Sequence, residues 1–253
     1  MIGVVLAFGV MVYRNQNTEV AAAPDFDGQG NGNALLHVEP GDTLGVVGDR
    51  LYDIGTVAST RAFTGAAAGT PVEGIQPGYY QVRQEMSAVA AVDALADPQN
   101  RVGFIEVKPG GRLLDTVVVG GGREKGIYTL IADATCLRDL DEPEAAPMCR
   151  QPQEIVDAAV QADPAELAVP DWAINEVRGA PDPVRRLEGL IAPGVHNINP
   201  QSEPVEILRQ LIDASTASYD ETGLVPAADR IGLTPYEVVT AAPLVEKLRP
   251  PYT

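Results

Sequence analysis

The 253-residue sequence predicts an α+β protein, with an apolar amino-terminal helix ahead of small strand-turn-helix units. Three observations carry that expectation. A strand–Pro–Gly–leucine pattern occurs twice, several later runs place apolar residues at helical spacing, and aromatics are only 5% of a chain holding 25 Gly and 21 Pro. That mix suits small-residue packing with many turns, and it does not suit a fibre or a disordered tail.

The repeated pattern links "LLHVEPGDTLGVV" with "GFIEVKPGGRLLDTV". Val38-Glu39-Pro40-Gly41 aligns with Val107-Lys108-Pro109-Gly110, and Leu44 with Leu113. Pro fixes φ and Gly supplies positive φ, so the pair ends a strand sharply. Two copies do not make a solenoid, and the pattern predicts two strand-turn-helix units. In the first unit Asp42 or Thr43 caps a helix through "LGVVGDRLYDI", which Gly55 terminates. A second helix starts from Ser59, "GIQPGYYQVRQ" reads as a strand or hairpin arm, and "MSAVAAVDALAD" is a third helix with Val89, Val92 and Leu95 on one face.

The amino-terminal run is apolar from Ile2 to Tyr13 and stops at Arg14. It is short of the roughly 20 residues that span a bilayer, and it has no basic segment ahead of it as a secretory signal has. A buried helix, a signal-like segment and the outer half of a transmembrane helix all remain open. The third is carried forward as a membrane anchor over residues 1–14. "NTEVAAAPDFDGQGNGN" then reads as a flexible tether over 15–33. An anchor and tether put the body of the chain outside the cytoplasm.

A formal charge of -17 excludes nucleic acid as a partner, because phosphate binding needs clustered Lys and Arg. Cys136 and Cys149 flank "LRDLDEPEAAPM" at a spacing too wide for a C-x-x-C motif. A disulfide closing an exposed loop is the favoured reading, with two reduced structural thiols as the alternative. His37 and His196 are the only histidines, so spacing assembles no metal cluster, and no cofactor is expected.

In the second half "KGIYTLIAD" reads as a strand or a buried helical turn. "PQEIVDAAVQADPAELAV" reads as a helix ended by Pro170, and "VRRLEGLIAPGVHNINP" as a short run ending in a loop. "SEPVEILRQLIDASTASYDETGL" reads as an amphipathic helix with Val205, Leu208, Leu211 and Ile212 on one face. The last helix opens with T-P-Y-E, a capping box in which Thr234 is the N-cap, Pro235 the first helical residue and Glu237 the third. Val239, Ala242 and Glu246 then share one stripe. A carboxylate at the end of an apolar stripe, near a helix C-terminus that disfavours negative charge, is a local conflict. Glu246 either reaches water from a fraying last turn, or is held half-buried against an apolar wall that keeps it protonated.

"GLTPYEVVTAAPLVEKL" resembles the "G-L-T-P-Y-E-V-L-x-x-A-S-L-V-E-K-E" segment of the MltG (YceG-like) endolytic murein transglycosylases. "RRLEGLIAPGVHNINP" resembles their "L-E-G-x-L-x-P-x-T-Y" stretch in its actinobacterial form. The EPGDTL unit, the "IQPGYYQVRQEMSAVAAVDAL" run and the KPGGRL unit resemble the family's LysM-like module and the segment after it. The resemblance covers nearly the whole chain in order. It implies a LysM-like α+β module over 34–100 and a partial mixed α/β transglycosylase domain over 101–253. It also implies cleavage within peptidoglycan glycan strands to leave 1,6-anhydro-muramyl ends, and Glu246 matches the family's catalytic glutamate. Glu188 and Gly189 of the L-E-G stretch, and Tyr79 of the LysM-like module, are candidate substrate-binding residues. The expected partners are glycan strands, the membrane through the first helix, and proteins of cell-wall synthesis. Pro243 and Leu248 stand where the family has Ser and Glu, and the family continues well beyond this glutamate. A glycan-binding or scaffold piece that does not cut is therefore the alternative expectation.

Overall fold

The structure, a computed structural model, describes residues 22–68, 75–117 and 120–248, with side chains up to Ala241. The expected anchor over 1–14 and the first part of the expected tether lie outside the described residues. Among those described, no helix is long and apolar enough to cross a membrane.

The first unit has the order β1 (Asn31–Val38), α1 (Leu44–Asp53), α2 (Thr60–Ala67), β2 (Gly78–Gln84), α3 (Ala88–Ala96) and β3 (Arg101–Val102). Its sheet is antiparallel in the order β1-β2-β3, with Leu36 opposite Tyr80 and Val38 opposite Gly78. Alternation along the strands puts Leu36, Val38, Tyr80 and Val82 on the face that meets the helices. Each helix starts at a hydroxyl that accepts a backbone N–H of the first turn, namely Thr43 from Val46, Ser59 from Ala62 and Ser87 from Ala90. α1 and α2 approach closely over Gly48, where a Cβ would stand 3.0 Å from the Phe63 ring.

Two expectations for this unit are corrected. The tether does not extend to residue 33, because β1 begins at Asn31 and the chain before it is tied down. Ser59 Oγ donates to the Pro24 carbonyl at 2.7 Å, and the Asp25 carboxylate accepts the Ala88 N–H at 2.9 Å, where the positive end of α3 favours an anion. Val89 is 61% exposed instead of being a core residue, and Ala88 and Ala91 pack inward beside Val92 and Leu95.

The second unit holds β4 (Phe104–Val107), β5 (Thr116–Val117), β6 (Arg123–Glu124), α4 (Ile127–Ala134), α5 (Pro152–Gln161), α6 (Ile174–Gly179), β7 (Gly194–Asn197), α7 (Pro204–Glu221), α8 (Leu224–Ile231) and α9 (Pro235–Leu248). β4 pairs antiparallel with β7, and β5 with β6. The expected mixed α/β domain is thus α+β, with antiparallel ribbons set among helices. Leu113, Ile131, Ile155, Leu187, Leu208 and Ile212 are at its core.

The second Pro-Gly copy forms no helix. After β4 the chain turns and runs as bends to β5. Arg112 stands where Thr43 caps α1, so no hydroxyl satisfies a first helical turn. The carbonyls of Arg112 and Leu113 instead accept the N–H groups of Ile127 and Tyr128, which caps α4 from outside. The α5 helix ends at Gln161 and not at Pro170, since Ala162 turns extended two residues before Pro164. "KGIYTLIAD" resolves as helix α4. α9 begins with the expected capping box, in which the Thr234 N–H donates to Glu237 Oε2 at 2.7 Å and the Glu237 N–H to Thr234 Oγ1 at 3.1 Å. It continues past Pro243 to Leu248.

Candidate functional site

The site forms where α9 lies across the loop Leu187-Glu188-Gly189. Gly189 has φ +77°, a conformation that side-chain-bearing residues rarely adopt, and a Cβ there would stand 2.6 Å from the Val239 carbonyl oxygen. A residue without a side chain is therefore what lets the backbone of α9 rest on the loop. Four further hydrogen bonds fix the seat. The Tyr219 hydroxyl of α7 donates to the Gly189 carbonyl at 2.7 Å, and the Tyr236 hydroxyl of α9 donates to the Arg186 carbonyl at 3.2 Å. Arg186 in turn donates to the carbonyls of Ala159 and Ala162 at the end of α5. Burial pushes the Tyr219 hydroxyl up to about 12, so it remains a donor throughout the neutral range.

Glu188 ties this loop to the second Pro-Gly turn. Its Oε1 accepts the Leu113 N–H at 3.1 Å, while Oε2 is buried without a hydrogen-bond partner among the described residues, with Arg185 Nη1 at 3.9 Å. Burial pushes its carboxyl above the ordinary range, against the Leu113 N–H and the charges of Arg185 and Arg112, which pull it down. Glu188 thus supplies the partner that the Leu113 N–H needs where no helix or strand continues the chain.

Beside the seat lies a cleft of about 260 Å³, walled by the Lys108–Gly111 turn, by Gly189, Ile191 and Pro193, and by Tyr219, Val238 and Val239 of the helices. Lys108 is the one charged residue among its described lining. Glu246 lies on α9 seven residues beyond Val239 and thus on the same helical stripe, about 10 Å along the axis. Its side chain lies outside the described part of the structure.

Glu188, Gly189 and the helix bearing Glu246 come together, and Tyr79 does not join them. Tyr79 sits on β2 in the first unit, opposite His37, and the two rings stack with centroids 4.2 Å apart. Desolvation raises the Tyr79 phenol and lowers the His37 imidazole, with Glu39 opposing the latter shift. Cys136 and Cys149 are joined in a disulfide. Among the described residues, no group of three His, Cys, Asp or Glu could hold a metal ion.

Sequence reasoning missed Tyr219, Tyr236 and Arg186. The signal for Tyr219 was present, since Leu208, Ile212, Ser215 and Tyr219 continue the α7 stripe at helical spacing and Ser215 is fully buried. Tyr236 lies inside the capping motif, which accounts for its neighbours Thr234, Pro235 and Glu237 but gives no role to its ring. Arg186 left no comparable mark.

No curated protein matches the chain. Among solved structures it is similar to a crystal structure from Listeria monocytogenes, described as that of a YceG-like protein, with 13% identity and a TM-score of 0.43. That match covers 87% of this chain and 66% of the other, so the chain spans just under two thirds of that protein's length. A model of the YceG-like family matches residues 36–248, from within β1 to the last residue of α9. With both units and the loop-seated final helix inside that match, the chain belongs to the YceG-like family.

Proposed function

We propose that the chain carries the glutamate-bearing part of a peptidoglycan lytic transglycosylase. The enzyme cleaves the MurNAc–GlcNAc bond within glycan strands and leaves 1,6-anhydro-MurNAc ends. The observation that carries this reading is the seating of α9 on Gly189, with an apolar cleft alongside the stripe that leads to Glu246. The chemistry needs one carboxyl group. Protonated Glu246 gives its proton to the glycosidic oxygen as oxocarbenium character develops at C1. The C6 hydroxyl of the same sugar then attacks C1, and the carboxylate takes up the proton that hydroxyl loses. No water enters the products, so no second carboxylate is required to activate one. A helix C-terminus favours the protonated form in which Glu246 must start.

The Cys136–Cys149 disulfide suits an oxidising, extracytoplasmic compartment, which fits a membrane anchor over residues 1–14 and the cell wall as the place of work. In the same reading the first unit acts as the LysM-like glycan-holding module. The stacked His37–Tyr79 pair on its sheet favours a second role, holding glycan without cutting it.

The test is to incubate the protein with purified peptidoglycan and to examine the soluble products by mass spectrometry. Anhydro-muramyl ends are expected from the wild type and not from Glu246→Gln. Co-sedimentation with insoluble glycan and no released ends would overturn cutting in favour of holding.

A further inference from the structure

The disulfide loop does more than brace itself. Between Cys136 and Cys149 the chain leaves the second unit, crosses to the first and returns. Its base is a single bridge in which Leu137 and Met148 exchange both backbone hydrogen bonds at 2.9 Å, next to the disulfide. Residues Arg138–Pro147 contribute nothing to either core, so the loop has little apolar burial to hold its shape.

Yet Arg138–Asp141 carries a dense set of contacts to the sheet of the first unit. The Asp141 carboxylate accepts the Gly32 N–H at 2.8 Å and Arg83 Nη1 at 2.6 Å. Arg83 also donates to the Leu140 carbonyl. Asn33 donates to Asp139 Oδ1 at 3.2 Å and accepts the Leu140 N–H at 3.0 Å. Gln81 pairs with the Arg138 backbone in both directions, and the Arg138 side chain donates to the Gln99 carbonyl at 2.8 Å. The side chains among these partners, Asn33, Gln81 and Arg83, lie on the sheet face turned away from the helices. Near the covalent crossing, Arg101 makes a separate join by donating to Gln76 Oε1 at 2.7 Å and Asn197 Oδ1 at 3.0 Å.

The geometry points to a redox-dependent latch, in which the Cys136–Cys149 disulfide holds the Arg138–Asp141 segment against the first unit and so fixes the two units together. The disulfide limits the loop to conformations in which these polar groups meet. Without it, the groups must find one another from a much wider ensemble and compete with water for each bond. Cys149 is exposed, so a dithiol reductant can reach its sulfur. The exchange passes two electrons and two protons to the disulfide, giving two thiols, while the reductant closes to its own disulfide. Opening leaves the Arg101 join as a hinge and bares Asn33, Gln81 and Arg83. The inference does not depend on transglycosylase activity.

The test uses the full chain and reads amide hydrogen exchange with and without dithiothreitol, alongside a Cys136→Ser/Cys149→Ser variant. Exchange at Gly32, Arg138 and Leu140 should accelerate by about tenfold or more on reduction and in the variant, while Leu51 and Ile131 in the two cores stay protected. Unchanged exchange at the three amides would overturn the latch, since the hydrogen bonds would then hold unaided. A matching rise at Leu51 and Ile131 would also overturn it, making the disulfide a general brace. Asn33→Ala, with the disulfide intact, should open Arg138 and Leu140 to a similar degree and leave little further response to reductant. A full reductant response in Asn33→Ala would place the effect elsewhere.

Discussion

The segments Leu36–Val47 and Ile105–Thr116 both pass through a valine, a Pro-Gly turn and a leucine, and then part company. After Pro40-Gly41 the Thr43 hydroxyl receives the Val46 N–H and helix α1 begins. After Pro109-Gly110 there is no such hydroxyl. The Leu113 N–H goes to Glu188, and the Arg112 and Leu113 carbonyls receive the first N–H groups of α4. One missing cap thus changes a helix start into a docking loop, and that loop holds the seat of α9. The difference shows that a repeated motif fixes the turn, while the path of the chain beyond it depends on where the freed backbone groups find partners.

The comparison can be broken at several points. The largest effect should come from Gly189→Val, which adds a side chain 2.6 Å from a backbone carbonyl at a positive φ. A loss of about 4 kcal/mol is expected by urea unfolding. Next, Leu113→Ala empties a fully buried position and should lose about 3 kcal/mol, whereas the matching Leu44→Ala, only partly buried, should lose about half of that. Equal losses would mean that the two leucines do the same work after all. Thr43→Ala should lower stability by about 0.5–1 kcal/mol through its cap, and Arg112→Ala should show no capping effect in the same melts.

The finest effect concerns pH. The folded carboxyl of Glu188 titrates above its unfolded value, so its contribution is complete below the unfolded carboxyl range and is lost as pH rises through the raised folded value. Glu188→Gln should flatten that slope in unfolding measured from mildly acidic to neutral pH. An unchanged slope would remove Glu188 as its source.

Helix starts were legible because caps are local. Thr43, Ser59 and the Thr234–Glu237 box each act within four residues, and all three form. The stripe of α7 was legible for the same reason. Strand β7 was not, because Gly194–Asn197 is short and pairs with a strand about ninety residues earlier in the chain, a contact that no local pattern encodes. The Asp25 carboxylate at the start of α3 was hidden in a Gly-rich stretch that looks like a tether. Glu188 and Gly189 were legible as a motif but not in their roles. Gly189 acts through a backbone approach that only the folded chain reveals, and Glu188 through an N–H that lies 75 residues away in the chain.

The most direct measurement is the release of anhydro-muramyl ends from peptidoglycan by wild type, Glu246→Gln and Gly189→Val, with exchange at Leu51 confirming that the first unit stays folded. The account predicts release by the wild type alone, with Gly189→Val as silent as Glu246→Gln although its glutamate is untouched. Release by Gly189→Val at the wild-type rate, or none from the wild type itself, would contradict it.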